Sequence, residues 1–264
     1  DTISGTPTAA ATSTFTVQAA TGDGQTATKE LSIAIHGTLS ITTTSLSDGV
    51  VGSVYKDTLT ATGGDGTYTW SVSAGTLPAG LTLNGDTISG TPTTAATSTF
   101  TVQVTSGDGQ SASKELSLTV TRVADTVSLS DTTLSFSSLG DTATIIATVK
   151  DQTGFTMTGA TVTWASSDAT IATVSSAGLV TAIANGTATI TATSGAASKT
   201  ATVTVSQVAS SVTLSPTSLS FASFADTATL ATTVKDAKDS TIASPTVTWA
   251  SSDATIATVS SAGL

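Results

Sequence analysis

Shifted by 85 residues, the chain aligns with itself twice. Residues 1–37 (DTISGTPTAAATSTFTVQAATGDGQTATKELSIAIHG) match 86–122, mostly by identity. Residues 161–179 (TVTWASSDATIATVSSAGL) recur letter for letter at 246–264, and 126–151 match 211–236 around them. Two repeat types of one length, A and B, follow. The expected order is the C-terminal part of an A (1–37), a full A (38–122), a full B (123–207) and the N-terminal part of a second B (208–264). A repeat of this kind constrains the fold more than any other feature, because each unit must be one self-contained piece of architecture. A unit of about 85 residues buries roughly 60–65% of its unfolded surface, enough for one small core. It is too long for a helical solenoid repeat and fits a bead in a tandem array.

The pattern within each bead is β. Type A carries short alternating runs at Tyr55–Ala61, Thr67–Val72, Leu81–Leu83, Ser98–Val104 and Lys114–Val120. Alternation of apolar and polar residues places one face in a core and the other in water. Turn chemistry separates the runs: Gly63-Gly64-Asp65-Gly66, Leu77-Pro78-Ala79-Gly80, Asn84-Gly85-Asp86 and Gly107-Asp108-Gly109. Type B repeats the plan at Ala143–Val149, Ala160–Ala165, Ile171–Val174, Leu179–Ile183, Thr187–Thr193 and Thr200–Val205. No helical period is sustained, and this spacing predicts a sandwich or barrel. Trp70, Trp164 and Trp249 each sit mid-run at equivalent places. That recurrence predicts one core tryptophan per bead, with ligand stacking as the alternative.

Composition removes several functions. Ser and Thr make up 101 of 264 residues, and there is no Cys and only one His. Disulfides and Cys-based zinc sites are therefore out, and His36 alone cannot build a His-rich one. Eight Lys and Arg against 18 Asp and Glu give a net charge of −10. Scattered cations cannot form a nucleic-acid footprint, so no nucleic-acid partner is expected. No apolar run reaches the roughly 18 residues of a membrane helix, so no membrane span is expected. Disorder is not expected either, because 38% of residues are hydrophobic and they alternate with Thr.

The residues also carry a family resemblance. The A unit has G-x-x-Y at Gly52–Tyr55, GG-x-x-x-Y-x-W at Gly63–Trp70, LP-x-GL at Leu77–Leu81 and I-x-GTPT at Ile88–Thr93. It resembles the Putative Ig family, cadherin-like modules of bacterial surface proteins. The B unit has V-T-W-x-SSD at Val162–Asp168, IATV at Ile171–Val174, GLVTA at Gly178–Ala182 and GTATITA at Gly186–Ala192. It resembles bacterial Ig-like domains of group two, known from invasin- and intimin-like adhesins. The resemblance implies an all-β, linear array of tandem Ig-like β-sandwiches in extracellular surface proteins. Stalks, spacers and adhesins without catalysis of their own are what such modules imply.

Candidate chemistry is sparse. No catalytic, cofactor-binding or metal-binding residue is assigned, and no enzyme is expected. A Ser–His–Asp site needs a positioned imidazole, but His36 ends a run beside Gly37 and its repeat partner is Thr121. The acids sit in turns, not as facing pairs of the glycosidase kind. Calcium is the open alternative, through Asp23, Asp65 and Asp108 in G-D-G turns and Asp125 in the A–B linker. The spacing of a dedicated calcium loop is missing, and G-D-G also serves a hairpin turn. Lys150 and Lys235 precede turn aspartates and read as solvated, against use in an isopeptide. Asn185-Gly186-Thr187 is a glycosylation sequon by pattern and equally an N-G hairpin turn. Phe155, which is Ser240 in the other B, is the aromatic best placed for a ligand.

The segment order places both ends inside a domain. The end fragments are expected to expose apolar faces and unpaired strand edges. Two outcomes follow: covalent continuation of a longer array, or head-to-tail self-association in which neighbours complete one another's sandwich. Linkers are expected near Arg122–Ala124 and Ser206–Ala209. The expected function is mechanical, a stalk or filament at the bacterial cell surface. A carbohydrate- or receptor-binding module, or an accessory domain of a secreted hydrolase or phage tail, are the alternatives.

Overall fold

The computed structural model describes residues 2–264, and Asp1, the first residue of the expected opening segment, lies outside the described residues. All regular secondary structure among them is β. The chain divides into two units, 1–123 and 124–264.

The first unit contains β1 (Ala11–Ala20), β2 (Thr26–Ile35), β3 (Gly37–Ile41), β4 (Gly49–Val50), β5 (Tyr55–Thr58) and β6 (Ala61–Gly64). It continues with β7 (Tyr68–Gly75), β8 (Leu81–Asn84), β9 (Thr87–Gly90), β10 (Ala96–Ser106) and β11 (Ser111–Thr121). One sheet has the order β4-β11-β10-β7, another β5-β9-β8, and β3 pairs with β6. The alternation in β10 and β11 sends Phe100, Val102, Val104, Leu116, Leu118 and Val120 into the core, where they meet Tyr55, Leu59, Leu81 and Ile88 from the opposite layer. Trp70 packs against this core half-buried.

The run expected at Tyr55–Ala61 is two strands. Leu59 is buried and its amide donates to Asp86 O at 2.7 Å, the last bond on the β9 side; Thr60 O then accepts the Thr42 amide and the chain joins β3 as β6. The alternation pattern does not reveal strands β3, β4 and β9. They are short, and alternation over two to five residues carries no period.

The hairpin β1–β2 repeats β10–β11 in sequence and in register: Phe15 faces Leu31 as Phe100 faces Leu116. Its surroundings differ. Leu31 is 40% exposed, whereas Leu116 is 4% exposed.

The second unit contains β12 (Thr126–Leu129), β13 (Thr133–Phe136), β14 (Thr142–Thr144), β15 (Ala147–Lys150), β16 (Thr163–Ser166) and β17 (Ala172–Val174). Then come β18 (Leu179–Ala182), β19 (Gly186–Ser194), β20 (Ala197–Val205), β21 (Ser211–Ser215) and β22 (Ala231–Lys235). The first B forms sheets β13-β20-β19-β16 and β14-β18-β17, with β12 paired to β15. Its core holds Phe136, Ile145, Val180, Ile190, Val203 and Val205. Trp164 borders this core and a second cluster around Val127, Val149 and Ala192. The run expected at Ala143–Val149 divides just as the A run does. Buried Ile145 donates to Gly178 O, and exposed Ile146 marks the crossing from β14 to β15.

Asn185-Gly186 does not close a hairpin. It carries the chain from β18 to β19, which lie in different sheets. Gly186 is required there: its φ is +146° and a Cβ would stand 2.7 Å from Ile171 Cδ1. In the second B, β21–β22 repeats the β12–β15 pairing, with Val212 opposite Val234 as Val127 is opposite Val149.

Candidate functional site

The residues singled out from the sequence do not converge. His36 is exposed at the end of β2, and its charge makes a small contribution to lowering the Asp108 carboxyl. The larger cause there is the Ser106 hydroxyl, which donates to Asp108 Oδ1 alongside the Gln110 amide. Gln110 also ties this turn to β3: its Nε2 donates to Gly37 O at 3.2 Å and its Oε1 accepts the Leu39 amide at 3.0 Å. Asp65 Oδ1 accepts the amides of Thr67 and Gly107. Asp23 repeats the Asp108 turn with Thr21 and Gln25. Asp125 donates its amide to Lys150 O. Among the described residues no group of three or more His, Asp or Glu is arranged to hold a metal ion.

Lys235 lies 3.7 Å from Asp239, whose side chain is well exposed, so the pair is a surface ion pair and not a buried isopeptide site. Phe155 closes the turn after β15 and is 53% exposed. A cavity of about 410 Å³ lies beneath Trp249, lined by Leu230, Pro245, Val247 and Ala262. Its repeat counterparts Ile145, Val162 and Trp164 pack on the core of the first B, which identifies this cavity as core-facing surface.

One polar constellation stands apart. The aspartates after the two lysines, read from sequence as part of solvated turns, are buried: Asp151 is 3% exposed and Asp236 2%. Each organises its own turn. Asp151 Oδ1 accepts the amides of Thr153 (2.9 Å) and Phe155 (3.0 Å), and Asp236 Oδ1 those of Lys238 (2.9 Å) and Ser240 (3.0 Å). The backbone closes both turns alike, with Asp151 N donating to Phe155 O and Asp236 N to Ser240 O.

The second oxygen of Asp236 reaches into the first B. Oδ2 accepts the Leu139 amide at 3.0 Å and Gln207 Nε2 at 2.9 Å. Gln207 is held in turn by Asn185, which donates to its Oε1 at 3.0 Å and accepts its amide at 2.8 Å. The sequon side chain is thus engaged in a paired amide contact. Burial pushes the Asp236 carboxyl up, but hydrogen bonds from Gln207 and from the Leu139, Ser240 and Lys238 amides outweigh it and hold the group at about 2. Four N–H donors on a desolvated carboxylate leave no room for a cation ligand role. The recurrence of V-K-D at 149–151 and 234–236 was the available signal. Its burial was not, because the covering residues lie 29 and 97 positions away.

Comparison with known proteins places these segments. Residues 37–121 match the family described as Putative Ig domain, and residues 142–205 match Bacterial Ig-like domain (group 2), in that order along the chain. Among solved structures, the chain is similar to Drosophila N-cadherin EC1-4 at 18% identity and a TM-score of 0.44, covering 70% of this chain and 53% of that one. It is similar to protocadherin Gamma B2 extracellular domains 3-6 at 14% identity and TM-score 0.45, covering 75% and 58%. Domains 4 and 5 of the S-layer protein SbsC match at 29% identity and TM-score 0.32, covering 56% and 82%. The chain spans a little over half the length of the two cadherin structures. No curated protein matches significantly.

Proposed function

We propose that this chain is a stretch of a bacterial extracellular stalk or filament, in which Ig-like modules joined end to end bear load and set distance. The observation that carries the reading is how each module is entered and left. In the A module, β4 lies parallel to the terminal strand β11, Gly49 opposite Val120 and Val50 opposite Thr121. In the B module, β13 lies parallel to the terminal strand β20 from Thr133/Thr202 to Phe136/Val205. β4 and β13 are the second strands of their modules, after β3 and β12, and because they run parallel to the last strand the chain advances from the entry end of the sandwich toward the end at which it leaves. Tension along the chain then acts along that ladder, so its hydrogen bonds are sheared together instead of being unzipped singly. The A module and the B module share this arrangement.

The rest of the chemistry suits the role. No Cys and one Met leave little to oxidise outside a cell, and a charge of −10 opposes collapse of neighbouring strands of a fibre. Among the described residues no helix is long and apolar enough to cross a membrane. Ig-like modules of these families typically serve as scaffold and not as catalyst. The partner of such a segment is more of the same in line with it, in one polypeptide or between copies.

Electron microscopy of the native material tests the reading. A strand of 11 residues such as β10 spans about 36 Å at ~3.3 Å per residue. Threads beaded at roughly 4 nm are expected. Discrete short particles without a beaded thread would refute it.

A further inference from the structure

The connection between the two B segments is not a free tether. Ser206 N donates to Phe136 O at 3.0 Å and Val208 N to Ser137 O at 2.9 Å, which pins the linker to the first B. Two residues on, Ser210 N donates to Lys235 O at 2.8 Å, which pins it to the second. In residues 208–264 nearly every side chain is exposed or half-buried, yet Asp236 is among the few that are buried. There its Oδ2 is hydrogen-bonded to Leu139 and Gln207 of the first B.

Three loops of the first B build the surface that receives Asp236. The loop after β13 is shaped by Asp141, whose Oδ2 accepts the Ser138 amide, and it presents the Leu139 amide. The β18–β19 crossing brings Asn185, and Asn185 orients Gln207 at the end of β20. The outcome is a pair of N–H donors, one backbone and one carboxamide, converging on a single oxygen.

We propose that this end of a type B module is a docking surface for the acidic turn of the next type B module, with Asp236 as the latch that sets the angle between the two. The division of labour between its oxygens is the core of the argument. Oδ1 holds its own turn, a job Asp151 repeats with its Oδ1, while Oδ2 is committed to the neighbour. The partner is therefore a second copy of the same module, recognised by a carboxylate at the end of V-K-D. This assignment goes beyond the mechanical reading and stands or falls independently of it.

The test uses the full 264-residue chain, which has no native Cys. Spin labels at Thr200→Cys and Thr213→Cys, both exposed positions, report the distance distribution across the junction by pulsed electron paramagnetic resonance. Asp236→Asn keeps an acceptor for its own turn but turns an NH₂ group toward two donors. It is expected to broaden the distribution and to speed amide exchange at Leu139 by roughly tenfold or more, as for loss of a hydrogen bond to a charged group. Gln207→Ala lies on the first module and leaves the Asp236 turn untouched, so it decides the matter if Asp236→Asn disrupts β21–β22. It is expected to broaden the distribution in the same way. Asp239→Asn removes the same charge from the same turn without touching the first B, and is expected to change neither readout. An unchanged distribution and unchanged Leu139 exchange in Gln207→Ala and Asp236→Asn would overturn the latch, as would equal broadening in Asp239→Asn.

Discussion

Replacing Leu116 and Leu31 by alanine, one at a time, compares one residue type at one repeat position in two surroundings. Both leucines face a phenylalanine across an antiparallel pair, Phe100 and Phe15 respectively. Leu116 is 4% exposed and belongs to the core of the A module, whereas Leu31 is 40% exposed and lies outside that core. Leu116→Ala loses the transfer energy of a buried leucine and leaves a cavity, together about 3 kcal/mol. For Leu31→Ala the effect on the A module is expected to stay below about 0.5 kcal/mol. Urea denaturation followed through Trp70, with Trp164 and Trp249 replaced by Phe, reads the A module alone. With a slope of about 1–1.5 kcal/mol/M for a domain of this size, the Leu116→Ala midpoint falls by roughly 2–3 M. The Leu31→Ala midpoint stays within about 0.5 M of the parent. Equal shifts would refute the reasoning, since they would mean that the β1–β2 hairpin and the β10–β11 hairpin share one cooperative core.

Gly178 has φ +79°, and a Cβ there would lie 2.3 Å from Ile145 O and 3.0 Å from the Trp164 ring. Gly178→Ala should lower the melting temperature of the B module, at a cost of about 2 kcal/mol or more, while Gly154→Ala, at φ +81° with open space around it, should cost about 1 kcal/mol. Comparable losses at both would show that the close approach to the Ile145 carbonyl and the Trp164 ring is not the cause. Asp236 is held at about 2 in the folded chain, against about 3.9 unfolded. A lowered folded value means that its stabilisation is present above pH ~4 and is lost as pH falls toward 2. Stability measured by urea at pH 6 and pH 3 should drop less in Asp236→Asn than in the parent, and an equal drop would contradict the assignment. Asp57 is also lowered, its burial outweighed by hydrogen bonds from Ser47, Thr58 and Tyr55, and Asp168 and Asp253 are lowered by the hydroxyls and amides of Thr170 and Thr255 against a smaller effect of burial, so the parent retains an acid-sensitive remainder. Chelator is expected to leave the melting temperature unchanged, because the oxygens of Asp236, Asp65 Oδ1 and Asp108 already accept N–H or O–H donors; a rise on adding calcium would show a site.

Much of the strand plan was legible because β10, β11, β19 and β20 are long enough for alternation to repeat several times. The short strands were not. At Leu59–Thr60 the alternation runs on, and at Ile145–Ile146 only two adjacent isoleucines interrupt it, yet the chain changes sheets at both. The last bonds to the sheet being left go to Asp86 O and Gly178 O, and the first to the sheet being joined run from Thr42 N to Thr60 O and from Ser130 N to Ile146 O, all of them partners distant in sequence. Recurrence marks the tryptophans as core residues; the structure leaves them half-buried, Trp70 at the margin of one cluster and Trp164 at the margin of two. The Asp236 latch was illegible for a different reason. A Lys-Asp pair before a turn reads as solvated wherever its neighbours are only those in sequence.

The repeated sequence by itself determined the hairpins: β1–β2 and β10–β11 take the same register because alternation, turn residues and cross-strand pairing are local properties. What becomes of each apolar face was decided only by tertiary structure. Leu116 is buried because β5, β8 and β9 lie across from it, and Leu31, with the same sequence around it, stays half in solvent. Burial is a relation between distant segments, so identical local sequence can encode the same strand pair and two different energies.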